Sequence, residues 1–440
     1  MFLLEPGTDM SMELLRKILQ KYQTGERAKL KKYRDYYDGK QDILRKTYSD
    51  PSKPCNHIVT NYCDNIVSNY SGYLGGKPVT YKSENNIDGI QDVLKYNDVQ
   101  SKDSDLLRNA LIYGRAYELQ YIDEDGKARF DVLDTLDGIP VYDNTITRNL
   151  MYFIRVYPAG AIDATPEYII EVLTPYETVR YSSDGTYSVF QPIETEPHPY
   201  GQVPVTVFSL NADEVPVFFK IISLQDAYNT LLSSEVDDFE AFCDAYLVLT
   251  GMDADEETIA AMKENRALVI PEGGGAEYLT KSVSDTQIQN MLQNINDTIH
   301  KIANSPDFSQ ESFGVSSGIA LRYRLLGFEN AAAAIESNMV KALQKRIELI
   351  CDILHLTGGE EVWRDVEIVV GRNLPVNYDE LVALVNSLRG VVSDKTLLSL
   401  LPFVTDVDAE LDSLANQKAE SMELYGFGNS EGGVNEQEER

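Results

Sequence analysis

The sequence predicts an α+β chain in which helices predominate, on three observations. Apolar residues recur at helical spacing along several long runs, the period shifts to two between Ala116 and Leu210, and helical spacing then returns for most of the remaining chain. The 440 residues suffice for two or more domains with substantial cores, and a hydrophobic content of 43% is that of a folded chain.

Residues 11 to 37, "SMELLRKILQKYQTGERAKLKKYRDYY", are charged and helix-prone, with a basic bias from Arg27, Lys29, Lys31, Lys32 and Arg34 that reads as a solvated face. "DGKQDILRK" breaks the pattern, and Pro51 and Pro54 mark a loop. In "NHIVTNYCDNIVSNYSGYL", Ile58, Tyr62, Ile66, Tyr70 and Leu74 predict one buried helical face. Gly75 and Gly76 release this helix through backbone conformations other residues avoid, and Pro78 bars its continuation into the strand "VTY". These glycines are no phosphate loop. Aligned on Gly76-Lys77, Ser71 stands where the first glycine is required and Pro78 where the metal-binding hydroxyl belongs. Two short helices come next, "GIQDVLKYND" and "SKDSDLLRNALIYG", the second closed by Gly114.

From Ala116, "AYELQYI", the turn "DEDG" and "KARFDVLD" predict a hairpin, and "LMYFIRVYP", "EYIIEVLT", "ETVRYSS", "DGTYSVFQ" and "VPVTVFSL" extend a mainly antiparallel sheet. Its many tyrosines suit half-buried strand positions; without interleaved basic residues they make no base-stacking platform.

Helical spacing resumes with Leu224, Tyr228, Leu232, Val236, Phe239, Cys243 and Tyr246, a stripe ending at Gly251. The opposite face carries Glu235, Asp237, Asp238, Glu240 and Asp244. An insert comes after it: an acidic helix, a strand, a glycine turn and a second strand. Ser284 and Gln287 then form a capping box opening a helix with Ile288, Leu292, Ile295, Ile299 and Ile302 in register. The serine- and glycine-rich "NSPDFSQESFGVSSGIALRYRLLGF" leads to a long helix with Ile335, Met339, Leu343, Ile350 and Leu354 on one face. "WRDVEIVV" is a late strand. Residues from Tyr378 to about Glu420 are helical with breaks at Gly390 and Pro402, and the tail is low in apolar content, the mark of disorder.

The net charge of −31, from 70 acidic against 39 basic residues, disfavours sequence-specific nucleic-acid binding, which draws its affinity from lysine and arginine displacing counterions. Four scattered cysteines imply a reducing compartment without a disulfide framework. On a helix Cys55 and Cys63 share a face, but "CNHIVTNYC" lacks zinc spacing. No apolar run approaches the roughly 20 residues of a membrane span, and "MFLLEPGTDMSMELL" does not read as a secretion signal. Gly-x-Ser-x-Gly, His-Glu-x-x-His and the dinucleotide fingerprint are absent, so no catalytic residue, cofactor or metal site is predicted. The pairs Asp237-Asp238 and Asp253-Asp255 arise readily by chance in so acidic a chain and lack the support a two-metal site needs.

Four stretches in one order resemble the portal proteins of tailed bacteriophages, of the siphophage type common among viruses of Gram-positive hosts. They are "YYDGKQDIL" with "NHIVTNYCDNIVSNYSGYLGGKPVTY", "SLQDAYNTLLSSEVDDFEAFCDAYLVLTG", "HKIANSPDFSQESFGVSSGIALRYRLLGFENAA" and "SDKTLLSLLPFVTDVDAEL", spanning about residues 30 to 420. The resemblance implies a ring of about twelve copies at one capsid vertex, with closing head-to-tail interfaces, through which double-stranded DNA is packaged and ejected. It also implies docking of the terminase large subunit and a head-completion or adaptor protein, contact with capsid and scaffolding proteins, and a place in the virion after assembly in the host cytoplasm. In family terms residues 1–220 correspond to the wing, 221–250 and 284–303 to the stem helices, and 251–283 to the clip. Residues 304–330 include or border the tunnel loop, 331–375 hold the wing-crossing helix and a late strand, 376–420 form the crown, and 421–440 are an acidic tail.

On that basis Asp237, Asp238, Glu240 and Asp244 are expected on an acidic stem surface, where low affinity lets a duplex slide. Arg322, Tyr323, Arg324, Leu325 and Leu326 are expected near the channel constriction, and Asp253, Asp255, Glu256 and Glu257 in the clip. The resemblance implies no enzyme. The tail after Glu420 is short for a large crown, and Cys55 and Cys63 are foreign to the family motif. A packaging ATPase or nuclease would need a phosphate loop or a supported carboxylate cluster, and the sequence offers neither. A head-to-tail adaptor or minor capsid protein would be shorter and lack the helix–insert–helix pattern of 224 to 303.

Overall fold

Helix α1 (Met12–Lys21) opens the chain because the Ser11 side chain accepts a hydrogen bond from the Leu14 N–H and so caps a free donor, while Leu15, Ile18 and Leu19 supply its buried face. A π-helical turn, Tyr22–Glu26, joins it to α2 (Arg27–Tyr37). A 3-10 turn, Asp42–Arg45, comes next. The computed structural model describes residues 1–51, 53–160, 167–243, 247–250, 273–278, 285–308, 318–356, 363–373, 378–401, 404 and 407–424.

Helix α3 spans Tyr62–Gly75, with Asn61 accepting from the Asp64 N–H. It therefore starts later than its apolar spacing predicts: Ile58 and Cys55 lie outside it, on the non-helical segment 55–61. Gly76 caps its end with an ordinary right-handed backbone, φ −74°. Glycine is needed there because a Cβ would collide with the Gly72 carbonyl oxygen and the Asn373 side chain, not for a left-handed turn. Helices α4 (Asp88–Tyr96) and α5 (Val99–Tyr113) lie next in the chain, and Gly114 ends α5 in the left-handed region at φ +85°.

The period-two region forms two sheets. Strands β3 (Arg115–Ile122) and β4 (Ala128–Leu133) make the expected hairpin, joined by β10 (Val205–Ser209) on the other side of β3. A six-stranded sheet has the order β1 (Phe2–Leu4), β5 (Gly138–Asp143), β6 (Leu150–Ala159), β7 (Glu167–Leu173), β8 (Glu177–Asp184), β9 (Phe190–Pro197). It is antiparallel except where β1 pairs with β5 in parallel. Strands β1 and β5 are additions to the predicted set. The last strand lies further on than "DGTYSVFQ" indicates: that stretch turns, with Tyr187 at φ +53°, and β9 carries Pro192, which an edge strand tolerates because one side of its ladder is open. Tyr117, Leu133, Phe153, Leu173, Val203 and Val205 form one buried cluster between the two sheets.

Helix α6 (Ile222–Cys243) ends before its predicted stop, because Leu247–Thr250 is a strand, β11, paired with β12 (Gly275–Tyr278). The run of Leu, Val, Leu and Thr prefers that pairing to another helical turn. Most of the predicted insert, and Ser284 of the capping box, lie outside the described residues. Helix α7 (Asp285–Ile302) packs on α6. Helix α8 runs over Gly318–Leu356 and so begins within the 304–330 region expected to precede it, since Leu, Ala and Arg outweigh the single Gly327, which sits against Asn304. Strand β13 (Glu367–Val369) pairs with β2 (Thr80–Lys82), the predicted "VTY" strand.

These elements belong to one unit, Met1–Asn373; a second, Leu374–Arg440, holds α9 (Tyr378–Leu388), α10 (Asp394–Ser399) and α11 (Val407–Leu424), with a break at Gly390 as expected, while Pro402 lies outside the described residues. Among the described residues no helix is long and apolar enough to cross a membrane, and no three His, Cys, Asp or Glu side chains are grouped to hold a metal ion. Cys55, Cys63 and Cys351 are not joined in disulfides, and burial pushes the Cys63 thiol well above its usual range.

Candidate functional site

The apolar stripe predicted for α6 is only half-buried in this chain, and Phe239 is 71% exposed. The fully buried row is polar: Gln225, Asn229 and Ser233 are 0% exposed and Asp237 is 6% exposed. Their spacing of four places them on one helical face, turned toward segment 55–61. The Asn56 N–H donates to Asp237 Oδ1 at 2.6 Å, and the Ile58 N–H to Ser233 Oγ at 3.0 Å. The Thr60 N–H donates to Asn229 Oδ1 at 3.0 Å, and the Tyr62 N–H to Gln225 Oε1 at 3.0 Å. Each step back along the helix by four residues meets a step forward along the segment by two. The match is geometric: four helical residues rise about 6 Å, and two extended residues span about 6.6 Å. A segment with no sheet partner thus has its alternate backbone donors satisfied by side chains.

The ladder ends on an ion pair. Lys46 Nζ lies 2.7 Å from Asp237 Oδ2, and Tyr48 donates to the same oxygen at 3.1 Å. Burial would raise the Asp237 carboxyl, but hydrogen bonds from Lys46, from the Asn56 backbone and amide and from Tyr48 outweigh it and pull it down to about 2. At the other end Tyr62, the first residue of α3, sits between helices: its ring meets Tyr228 edge-on at 5.3 Å and His300 at 5.8 Å, and its hydroxyl donates to Asn296 Oδ1 at 2.7 Å.

The predicted site residues separate accordingly. Asp237, expected on an acidic surface, is instead a buried acceptor for Lys46 and segment 55–61, because the helix turns it to the polar spine. Asp238 is half-buried, Glu240 is exposed and accepts from Asn56 Nδ2 at 3.0 Å, and Asp244 lies outside the described residues. On α8 Leu325 is 5% exposed, while Tyr323 and Leu326 turn outward at 76% and 54%, and Arg324 is exposed. The Arg322 side chain, and Asp253, Asp255, Glu256 and Glu257, lie outside the described residues. Phe308, Met291 on α7 and Phe239 on α6 are further exposed large apolar side chains.

A second buried polar group fixes α8. Arg346 is fully buried, with Nε and Nη2 on the two Glu118 carboxylate oxygens at 2.8 and 2.6 Å and Nη1 on Asp103 Oδ1 at 2.5 Å. Its guanidinium lies 4.7 Å from the Phe130 ring centroid. It occupies the same face as Leu343 and Ile350, a position that apolar spacing alone passes over. The signal that would have found both the ladder and this group is polar residues at helical spacing, Gln225, Asn229, Ser233 and Asp237, and a lone arginine within an apolar stripe.

A family model described as "Phage portal protein, SPP1 Gp6-like" matches residues 16–424. The chain is 26% identical over 437 residues to the portal protein of Bacillus phage SPP1, covering 93% of this chain and 85% of that protein. To the portal protein of Clostridium phage phiCD119 it is 23% identical over 448 residues, covering 94% and 98%. Among solved structures, a chain from the neck of the native gene transfer agent particle with C12 symmetry has a TM-score of 0.46 and 12% identity over 77% of this chain and 88% of that chain.

Proposed function

This chain belongs to the phage portal protein family of the SPP1 Gp6-like type, and from that premise we propose that it forms a head-to-tail ring of about twelve copies at one capsid vertex. The ring is the channel for double-stranded DNA entering and leaving the capsid. It docks the terminase large subunit during packaging and a head-completion or adaptor protein afterwards, and it contacts capsid and scaffolding proteins. It is a component of the virion, built in the host cytoplasm.

The observation that carries this reading is the family match over nearly the whole chain. Within it, residues 1–220 serve as wing, α6 and α7 as stem helices, the segment between them as clip, and 376–420 as crown. The outward-facing Tyr323 and Leu326, with Phe308 and Met291, supply the apolar surface that a neighbouring copy covers. A net charge of −31 favours a channel wall that DNA passes without capture, since counterion release needs clustered lysine and arginine. Glu240, exposed on α6, and the half-buried Asp238, two residues earlier, are assigned to that wall; Asp237 is not, being buried against Lys46 of its own chain.

The test is the mass of the purified protein in solution with imaging of its large species. Rings of about twelve copies with a central hole support the reading. A strictly monomeric or dimeric particle at every salt and protein concentration, also in the presence of the phage's scaffolding and capsid proteins, overturns it.

A further inference from the structure

The joint between the N-terminal helices and α6 contains more acceptors than donors. The single Tyr36 hydroxyl lies 2.9 Å from Asp42 Oδ2 and 2.9 and 3.0 Å from the two oxygens of Asp226 on α6. A hydroxyl has one hydrogen, so it donates to one carboxylate; the other carboxylate, at hydrogen-bond distance from a phenol oxygen, needs a hydrogen of its own. The cations stand on the Asp42 side: Lys32 Nζ is 3.6 Å from Asp42 Oδ2 and Arg45 Nη1 is 3.4 Å from Oδ1. These cations make Asp42 the acceptor of the Tyr36 hydrogen.

We propose that Asp226 carries a proton that it donates to the Tyr36 oxygen while Tyr36 donates to Asp42, and that loss of this proton unlatches α2 from α6. The proton leaves to solvent or buffer and no other bond changes. Once it has gone, Tyr36 keeps its bond to one carboxylate, and the other faces an oxygen lone pair at contact distance. The groups that bear on Asp226 are Tyr36 and Lys32 from α2, Asp42 from the 3-10 turn and the buried Cys63 thiol from α3. Burial raises the Asp226 carboxyl and Asp42 adds to it; the hydrogen bond that Tyr36 gives to the ionised form, and the more distant Lys32, pull the other way. Tyr36 stays protonated throughout, its hydroxyl held well above the phenol range by burial and by the two carboxylates.

The sign is set by the raised folded value: the latch contributes fully below the ordinary aspartate value and is lost as pH rises through the folded one. Two neighbouring contacts hold the same joint without titrating, the Gln41 amide donating to the Tyr36 carbonyl at 3.2 Å and the Asn229 amide donating to Gln41 Oε1 at 2.5 Å. The joint therefore loosens locally without releasing the helix.

The experiment is hydrogen exchange by mass spectrometry on the full chain from about pH 4.5 to about pH 7.5, with intrinsic rates divided out, reading peptides that cover α2 and the first half of α6. Wild-type protection in these peptides falls with rising pH at least about threefold more than in Asp226→Asn, whose amide donates to Tyr36 at every pH. Tyr36→Phe removes the shared hydroxyl and is equally flat, so it carries the test if Asp226→Asn does not fold. Equal pH slopes for wild type and Asp226→Asn, or a wild-type slope in Tyr36→Phe, overturn the proposal.

Discussion

Asn229 on α6 accepts both the backbone N–H and the hydroxyl of Thr60, at 3.0 and 2.8 Å, across 169 positions of sequence. Its own amide donates to Gln41, and the Gln225 amide donates back to it at 3.0 Å, so one side chain serves four groups in the ladder. Asn229→Ala strands buried donors at Thr60 and an acceptor at Gln41, and is expected to cost about 3 kcal/mol. Ser233→Ala loses only the acceptor for the Ile58 N–H and is expected to cost about 1 kcal/mol. Urea unfolding of the two variants beside wild type checks the ratio; equal, negligible losses would mean the segment is held by its apolar contacts instead.

The end of the ladder titrates in the acid range. Asp237 is depressed to about 2 in the folded chain, so its contribution is complete above the ordinary aspartate value and disappears as pH falls toward 2. Acid unfolding of wild type is accordingly expected to include a component below about pH 4 that is missing in Asp237→Asn. The variant also loses the charge partner of Lys46 and is less stable at neutral pH. Parallel unfolding curves between about pH 2 and about pH 6 for the two proteins, offset by a constant, contradict the assignment.

Much of the architecture was legible because it rests on periodicity. Gly114 stands at the left-handed end of α5 as its position implied, and the hairpin of β3 and β4 comes from alternation around "DEDG". The first two helices of the second unit break where Gly390 indicated. Two of the failures share one physical cause. Ile58 fits the spacing of α3, yet the backbone N–H groups of its segment found acceptors on a helix far along the chain, and no local signal encodes so distant a partner. Strand β1 depends likewise on a parallel pairing with residues far along the chain, Phe2 with Val141 and Leu4 with Asp143. For the candidate site the surface acids were placed opposite the apolar stripe, and that pattern does not tell the exposed Glu240 from Asp237, one helical turn earlier on the same side, which segment 55–61 covers.

Arg346 tests whether α8 is held by charge or by packing. Arg346→Met leaves Glu118 and Asp103 buried without their partner, and is expected to destabilise the chain by about 3–5 kcal/mol. Removing the acids as well, with Glu118→Leu and Asp103→Leu on the same background, is expected to recover most of that loss, because a buried triad is often worth little more than apolar residues of its volume. Chemical denaturation of wild type, single and triple variants decides it. A single variant near wild type would show that water reaches the pair; an unrecovered triple would show that the geometry of the group, not its charge balance, sets the position of α8.

The outward residues of α8 separate folding from assembly. Leu325 is 5% exposed, whereas Leu326, one residue on, is 54% exposed and Tyr323 is 76% exposed, so adjacent positions face the core and the outside. A charge at Leu325 must be buried, and Leu325→Asp is expected to unfold or severely destabilise the chain. A charge at Leu326 meets water in the single chain, so Leu326→Asp and Tyr323→Ala are expected to leave its thermal stability within about 0.5 kcal/mol of wild type. If these side chains are covered by the next copy, both variants instead shift the sedimentation profile from rings to single chains, Leu326→Asp more strongly because it would place a carboxylate in an apolar contact. Rings that form unchanged in Leu326→Asp would mean that this face of α8 looks into the channel or onto solvent, and that the contact between copies lies elsewhere.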